Sequence, residues 1–268
     1  MTSGTDRSSQ DQPEGPGSPG TEAAANAEVA ELVGKLSQAG DMDGAERRRL
    51  LGRLSAALVT ARKRARATGA GRGRWLADVF ASIAPRLPIR DLAALQDHHY
   101  GLSGDQLADD LVRTASKATM AVGAIGGALA AAEFAAPPLL LSAPAQLVAE
   151  TLVVAAIEVK LIGELHEVYG VQVQGTGTQR AMAFTVAWTK QRGVDPLSPA
   201  SVQMALGAAA KAGLRKRLLR TLGRHLTTLG PFLTGAVAGG ALNRIATRRL
   251  SEAVRKDLRR QRALPSPD

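Results

Sequence analysis

The chain contains no cysteine, and aromatic residues make up only 3% of its 268 positions. The missing thiols exclude a disulfide scaffold, a thiolate nucleophile, a Cys-ligated zinc and an iron-sulfur cluster. Histidine is scarce as well, with His98, His99, His166 and His225 the four present. None sits in a His-Glu-x-x-His run, and there is no Gly-x-x-x-x-Gly-Lys-Ser/Thr phosphate loop. A Gly-x-Ser-x-Gly nucleophile elbow is also missing, so no hydrolase is indicated. The expectation is a non-enzymatic protein with no catalytic residue, cofactor, metal or small-molecule substrate. The first residues lack the basic and apolar regions of a secretory signal, so the N-terminus is expected to stay in the cytoplasm.

Charge is abundant and segregated. The formal net charge is +10. Residues 1–33 carry net −5 and residues 46–74 net +9, while 75–210 carry net −4 and 211–262 net +12. Two basic poles flank a mildly acidic, apolar middle. Such a field attracts polyanions, whether nucleic acid or an anionic membrane surface, and does not choose between them.

Nothing alternates with period two, so the fold class is all-α, a helical bundle. Residues 1–21, rich in Pro, Gly and Ser, read as a disordered tail. Helices are expected from Glu22 to Leu36, from Asp43 (a candidate N-cap) to Ala67, from Trp75 to Ile83, and over Asp91 to Asp97. A helix opened by Ser103 runs through Ala115, and the character changes near Ala118. Further helices are expected over Ala145–Tyr169, stopped by Gly170 as a left-handed cap, over Gln179–Arg192, near 200–209 and over 211–228. A final basic helix ends near Arg262, before a tail at 263–268. The organisation is then a basic helical region over 22–103 and a second helical domain over 104–262.

Three uncharged runs stand out, Ala118–Ala132, Phe134–Ala149 and Leu226–Asn243, of 15, 16 and 18 residues. They fall short of the roughly 20 apolar residues that cross a bilayer, and much of each is Ala and Gly. Gly123 and Gly127 are four apart, as are Gly235 and Gly239, a spacing that lets helices approach backbone to backbone. Two readings follow. One is an apolar hairpin over 118–163 that dips into one leaflet, with the 226–243 element at the interface; the other is a tightly packed helical pair inside a water-soluble bundle.

The Gly-rich run Ala121–Ala131, the ending Glu167-Val168-Tyr169-Gly170, the run Gly235–Asn243 and the basic terminal helix resemble the EcsC family over about residues 104–262. That family is bacterial, is named for a protein encoded beside an ABC transporter, and has no established biochemical activity. The order of elements is also similar to a helical domain of unknown function appended to certain bacterial GTPases, although this chain has no GTPase motif. The resemblance implies a membrane-linked helical protein and brings no catalytic residue with it.

Candidate anion or membrane contacts are Arg47, Arg48, Arg49, Arg62, Lys63, Arg64, Arg215, Lys216 and Arg217. Glu150, Glu158, Glu164, His166 and Glu167 interrupt an apolar helix. They form either a carboxylate and imidazole cluster for a cation or a proton, or inward-turned groups paired with Arg113, Lys117 or Arg180. The adjacent His98 and His99 do not face one ion together and are expected to terminate or cap a helix. The leading expectation is peripheral or monotopic association with the anionic inner face of the cell membrane, linked to transport or envelope processes. The alternative is a helical protein-interaction module. A non-specific nucleic-acid binder comes third, because stacking aromatics are nearly absent.

Overall fold

A computed structural model describes residues 19–38, 42–67, 74–135, 143–191 and 231–263. Among them are eight α-helices and no strand: α1 Pro19–Ser37, α2 Gly44–Ala67, α3 Arg74–Ile83, α4 Leu92–His98, α5 Gly104–Ala135, α6 Ala143–Tyr169, α7 Gly177–Gln191 and α8 Pro231–Ala263. A 3-10 turn, Ala84–Arg86, follows α3. The architecture is an all-α bundle. The expected helices at 200–209 and 211–228, with His225, Arg215, Lys216 and Arg217, lie outside the described residues.

Local chemistry sets several ends. Asp43 Oδ1 accepts from Ala45 N at 2.6 Å before α2, and Asp91 Oδ1 accepts from Ala94 N at 2.8 Å before α4. Thr176 and Gln179 form a reciprocal capping box, with Thr176 N donating to Gln179 Oε1 at 2.8 Å and Gln179 N to Thr176 Oγ1 at 3.4 Å. That box starts α7 two residues before the expected Gln179. Gly170, at φ +68°, ends α6, and Val171 N reaches back to His166 O at 3.0 Å as a Schellman closure requires.

Two expected boundaries disappear. α5 is one helix of 32 residues rather than an amphipathic helix followed by a separate apolar run. α8 is one helix of 33 residues that joins the end of the apolar run to the basic tail. No proline falls inside either after its first residue, and alanine, the best helix former, offsets the roughly 1 kcal/mol that each interior glycine costs.

α6 is the hub. It is apolar around nearly its whole circumference, with Leu152, Val153, Ala156, Ile157, Leu161, Ile162 and Leu165 buried, as a central helix must be. α1 and α2 pack on one side of it, α5 and α8 on another, and α7 closes over it beside the 3-10 turn. Phe80 and Trp188 stack with centroids 5.9 Å apart. One continuous hydrophobic core joins α1 and α2 to α5, α6 and α8, across the position of the expected boundary at 103/104.

Candidate functional site

The small-residue runs meet each other. α5 lies along α8, and a Cβ placed on Gly123 would come within 2.6 Å of Gly239 O and 2.5 Å of Asn243 Nδ2. From the other side, a Cβ on Gly240 would meet Met120 O at 2.9 Å. Gly123 therefore packs on Gly239 across two helices, and Gly240, which the four-residue spacing did not single out, completes the seam, while Gly126, also not singled out, faces α6. Gly126 makes room for the Glu150 carboxyl from α6. Gly127 is buried in α5, and Gly235 lies within α8.

Of the two readings of the 118–163 hairpin, this packing fits the buried one for 118–127 and 145–163; the side chains of 128–144 lie outside those described. Ala118, Val122, Ile125, Ala149, Leu152, Val153 and Ile157 are all buried in the core, because α8, α1 and α2 cover the faces that the hairpin would have offered to lipid. Among the described residues no helix is long and apolar enough to cross a membrane.

The acidic residues of α6 do not form one cluster; a helix turns 100° per residue, and the structure disperses them. Glu158 is fully buried, accepting from Trp188 Nε1 at 2.8 Å and from Thr247 Oγ1 at 3.1 Å. The hydroxyl of Thr119 lies 3.0 Å from that of Thr247 and 3.2 Å from Ser116 O, its other acceptor. Asn243 Nδ2 donates to Thr119 O at 3.2 Å. This chain of bonds ties α5, α6, α7 and α8 together at the centre of the bundle, where satisfied polar groups fix one arrangement of helices.

Glu164 is nearly as buried and receives Lys160 Nζ, with Arg90 Nη1 at 3.7 Å. Burial pushes the Lys160 ammonium below its usual range, and Glu164 opposes this. Glu167 pairs with Arg180, one of the three partners anticipated; Arg113 pairs with Asp110 instead. His166 donates from Nδ1 to Ile162 O at 2.7 Å, and burial lowers its pKa. His99 ends α4 and is also buried, with Nδ1 2.6 Å from Asp110 Oδ2. No group of three or more His, Asp or Glu among the described residues is placed to hold a metal ion.

A clasp invisible in the sequence closes the bottom of the bundle. Tyr169 OH donates to Asp105 Oδ1 at 2.6 Å and accepts from Arg255 Nε at 2.9 Å. Arg255 Nη1 reaches Asp109 at 2.5 Å, and Arg259 Nη2 reaches Asp105 at 2.7 Å while its guanidinium sits 5.8 Å from the Tyr169 ring centroid. Arg259 and then Tyr169 hold the Asp105 carboxyl well below the usual carboxylate range. Burial, followed by the bond to Asp105, raises the Tyr169 phenol.

The basic candidates divide. Arg47 is buried, on the same face as Leu50, Leu51 and Leu54, so it is withdrawn from the set of surface contacts; burial lowers its pKa, against the pull of Asp43. Arg64 is half-buried and partnered. By contrast Arg48, Arg49, Arg62 and Lys63 on α2 are exposed and, among the described residues, make no ion pair. Arg248, Arg249, Lys256, Arg260 and Arg262 on α8 are in the same state. None of these α8 cations was among the contact candidates read from the sequence, where Arg248 and Arg249 figured only as charges flanking the 226–243 run. Their signal was the net charge of the C-terminal block, but a count does not tell bonded Arg255 and Arg259 from their free neighbours.

No protein-family model matches the chain, and searches of curated proteins and of solved structures return no match.

Proposed function

We propose that this protein is a non-enzymatic helical protein that associates peripherally with an anionic membrane surface through its two basic helices. The observation that carries the reading is the outward surplus of cations on α2 and α8. Asp105, Asp109, Glu164 and Glu167 of α5 and α6 are engaged by Tyr169, Arg255, Arg259, Lys160 and Arg180, whereas the nine α2 and α8 cations named above face water without an ion pair among the described residues. Each basic residue close to an anionic leaflet contributes about 1 kcal/mol, so a few suffice for reversible binding. The reading keeps the resemblance to the EcsC family as part of the proposal, together with a location at the inner face of the cell membrane and a link to transport or envelope processes.

Burial of the described α5 and α6 side chains supports the second reading, a helical protein-interaction module. Co-sedimentation with anionic and neutral vesicles at low and high salt separates the two. Binding to anionic vesicles that weakens with salt, and that duplex DNA does not compete away, is the expected result; no binding to either vesicle would overturn the membrane reading.

A further inference from the structure

The exposed face of α8 is not uniform along its length. Val237, Leu242 and Ile245 are exposed at 68%, 47% and 46%, although most large apolar side chains of the bundle are buried. With exposed Ala241 they form a short apolar strip on the N-terminal half of the helix. On the same side, Arg248 and Arg249 lie three and four residues beyond Ile245, and Lys256 and Arg260 lie seven and eleven beyond Arg249, all exposed, with the exposed acid Glu252 set among them. The opposite side of the helix, with Gly239, Gly240, Thr247, Leu250, Ser251, Val254 and Leu258, is buried against the bundle. One exposed stripe thus changes from apolar to cationic from one end to the other.

We propose that this stripe is the insertion element and that α8 meets an anionic leaflet obliquely, its N-terminal half in the acyl region and its C-terminal half along the phosphates. The inference rests on the membrane reading given above and adds which helix enters, by which end. The sign of the charge selects the partner. A second copy laid on this stripe would set four exposed cations and one acid, Glu252, against a surface of the same net positive sign in a chain of net charge +10. A nucleic acid would satisfy the cations and leave Val237, Leu242 and Ile245 against water or phosphate. A leaflet offers an apolar interior and a phosphate layer side by side, the order in which the stripe presents its residues. From Val237 to Arg260 the helix rises by roughly 35 Å, enough to reach from the acyl region to beyond the headgroups.

The absence of cysteine makes the test direct, since one introduced thiol labels one place. The full chain carrying Val237→Cys, Ile245→Cys or Arg260→Cys, each at an exposed position, is labelled with an environment-sensitive fluorophore and mixed with phosphatidylglycerol/phosphatidylcholine vesicles. The expected result is a blue shift and quenching by acyl-chain spin labels at 237, less at 245, and none at 260. In the same assay Val237→Asp should weaken vesicle binding at high salt by roughly tenfold while leaving low-salt binding largely intact. Vesicle binding with all three probes still in water would overturn this orientation and leave surface binding in place. No vesicle binding at all would overturn both. Probes shielded without lipid, in a concentration-dependent dimer that Val237→Asp dissolves, would assign the stripe to a second copy and overturn the proposal.

Discussion

α2 and α8 are both long, both rich in arginine and both basic on the outside, yet they are attached to the bundle by opposite means. α2 buries large side chains, Leu50, Leu51, Leu54 and Leu58, and its outer face carries charge with little apolar surface apart from Val59. α8 over its first half buries backbone, through Gly239 and Gly240, and leaves Val237, Leu242 and Ile245 outside. A helix held by leucines is fixed by area removed from water, roughly 25 cal/mol per Å². A helix held by glycines is fixed by close approach, which forfeits area but admits no added atom. The difference shows why arginine content alone describes neither helix: what faces outward depends on what the inward face has already taken.

The contrast is sharpest at the seam. Gly123→Leu should destabilise the bundle by about 3 kcal/mol or more, because the new side chain meets the Gly239 backbone carbonyl, which cannot swing aside, as well as the Asn243 side-chain amide; chemical denaturation measures it, and a midpoint unchanged from the parent would break the comparison. Next comes Glu158→Ala, expected to cost about 3 kcal/mol by leaving Trp188 Nε1 and the Thr247 hydroxyl without their acceptor. Trp188 emission should shift in the native state of that variant. For surface binding, Arg248→Glu with Arg249→Glu and Arg260→Glu should lower affinity for anionic vesicles by at least roughly tenfold, and more than Arg48→Glu with Arg49→Glu and Arg62→Glu on α2, since α8 adds apolar contact to charge. Equal losses in a vesicle titration would mean that the exposed strip contributes nothing.

On α2 a glycine behaves in the opposite way. A Cβ on Gly52 meets nothing within 4 Å, so Gly52→Ala should stabilise the protein by about 0.5–1 kcal/mol in thermal or urea melts. The smallest effect is expected from the Tyr169 clasp. The folded pKa of Asp105 is depressed, so the stability it adds is present above the ordinary carboxylate range and is lost as pH falls below it. Asp105 is largely exposed, and solvent screening keeps this modest. Melting profiles of the parent and Asp105→Asn should therefore differ slightly near neutrality and converge as pH falls below about 4.

Much of this bundle was readable from local pattern. The spacing of Val29, Leu32, Val33 and Leu36 and of Leu50, Leu51, Leu54 and Leu58 placed α1 and α2 within a few residues of their ends, and Asp43 and Gly170 marked caps, because capping acts over two or three positions. The start of α7 was missed by two residues although Thr176 and Gln179 spell out a capping box. Pairing was beyond reach. Which glycine meets which is decided between residues more than a hundred positions apart, and spacing within one helix says nothing about the helix opposite. The same holds for His99 with Asp110 and for Tyr169 with Asp105 and Arg255: each residue was visible, but the partner was chosen by the fold. Arg47 looked like its neighbours Arg48 and Arg49 until the phase of α2 put it on the leucine side.

The bond between Thr119 and Thr247 spans 128 positions. During synthesis at roughly 5–20 residues per second, α5 therefore waits on the order of 10 s for the helix that covers it. Through that interval its glycine and alanine face, the Thr119 hydroxyl and the Glu158 carboxylate lack their final partner. The helix that emerges more than a hundred residues later is the one that completes the centre of the molecule, so a chain cut short before α8 loses its keystone and exposes a sticky, half-polar groove to the chaperones.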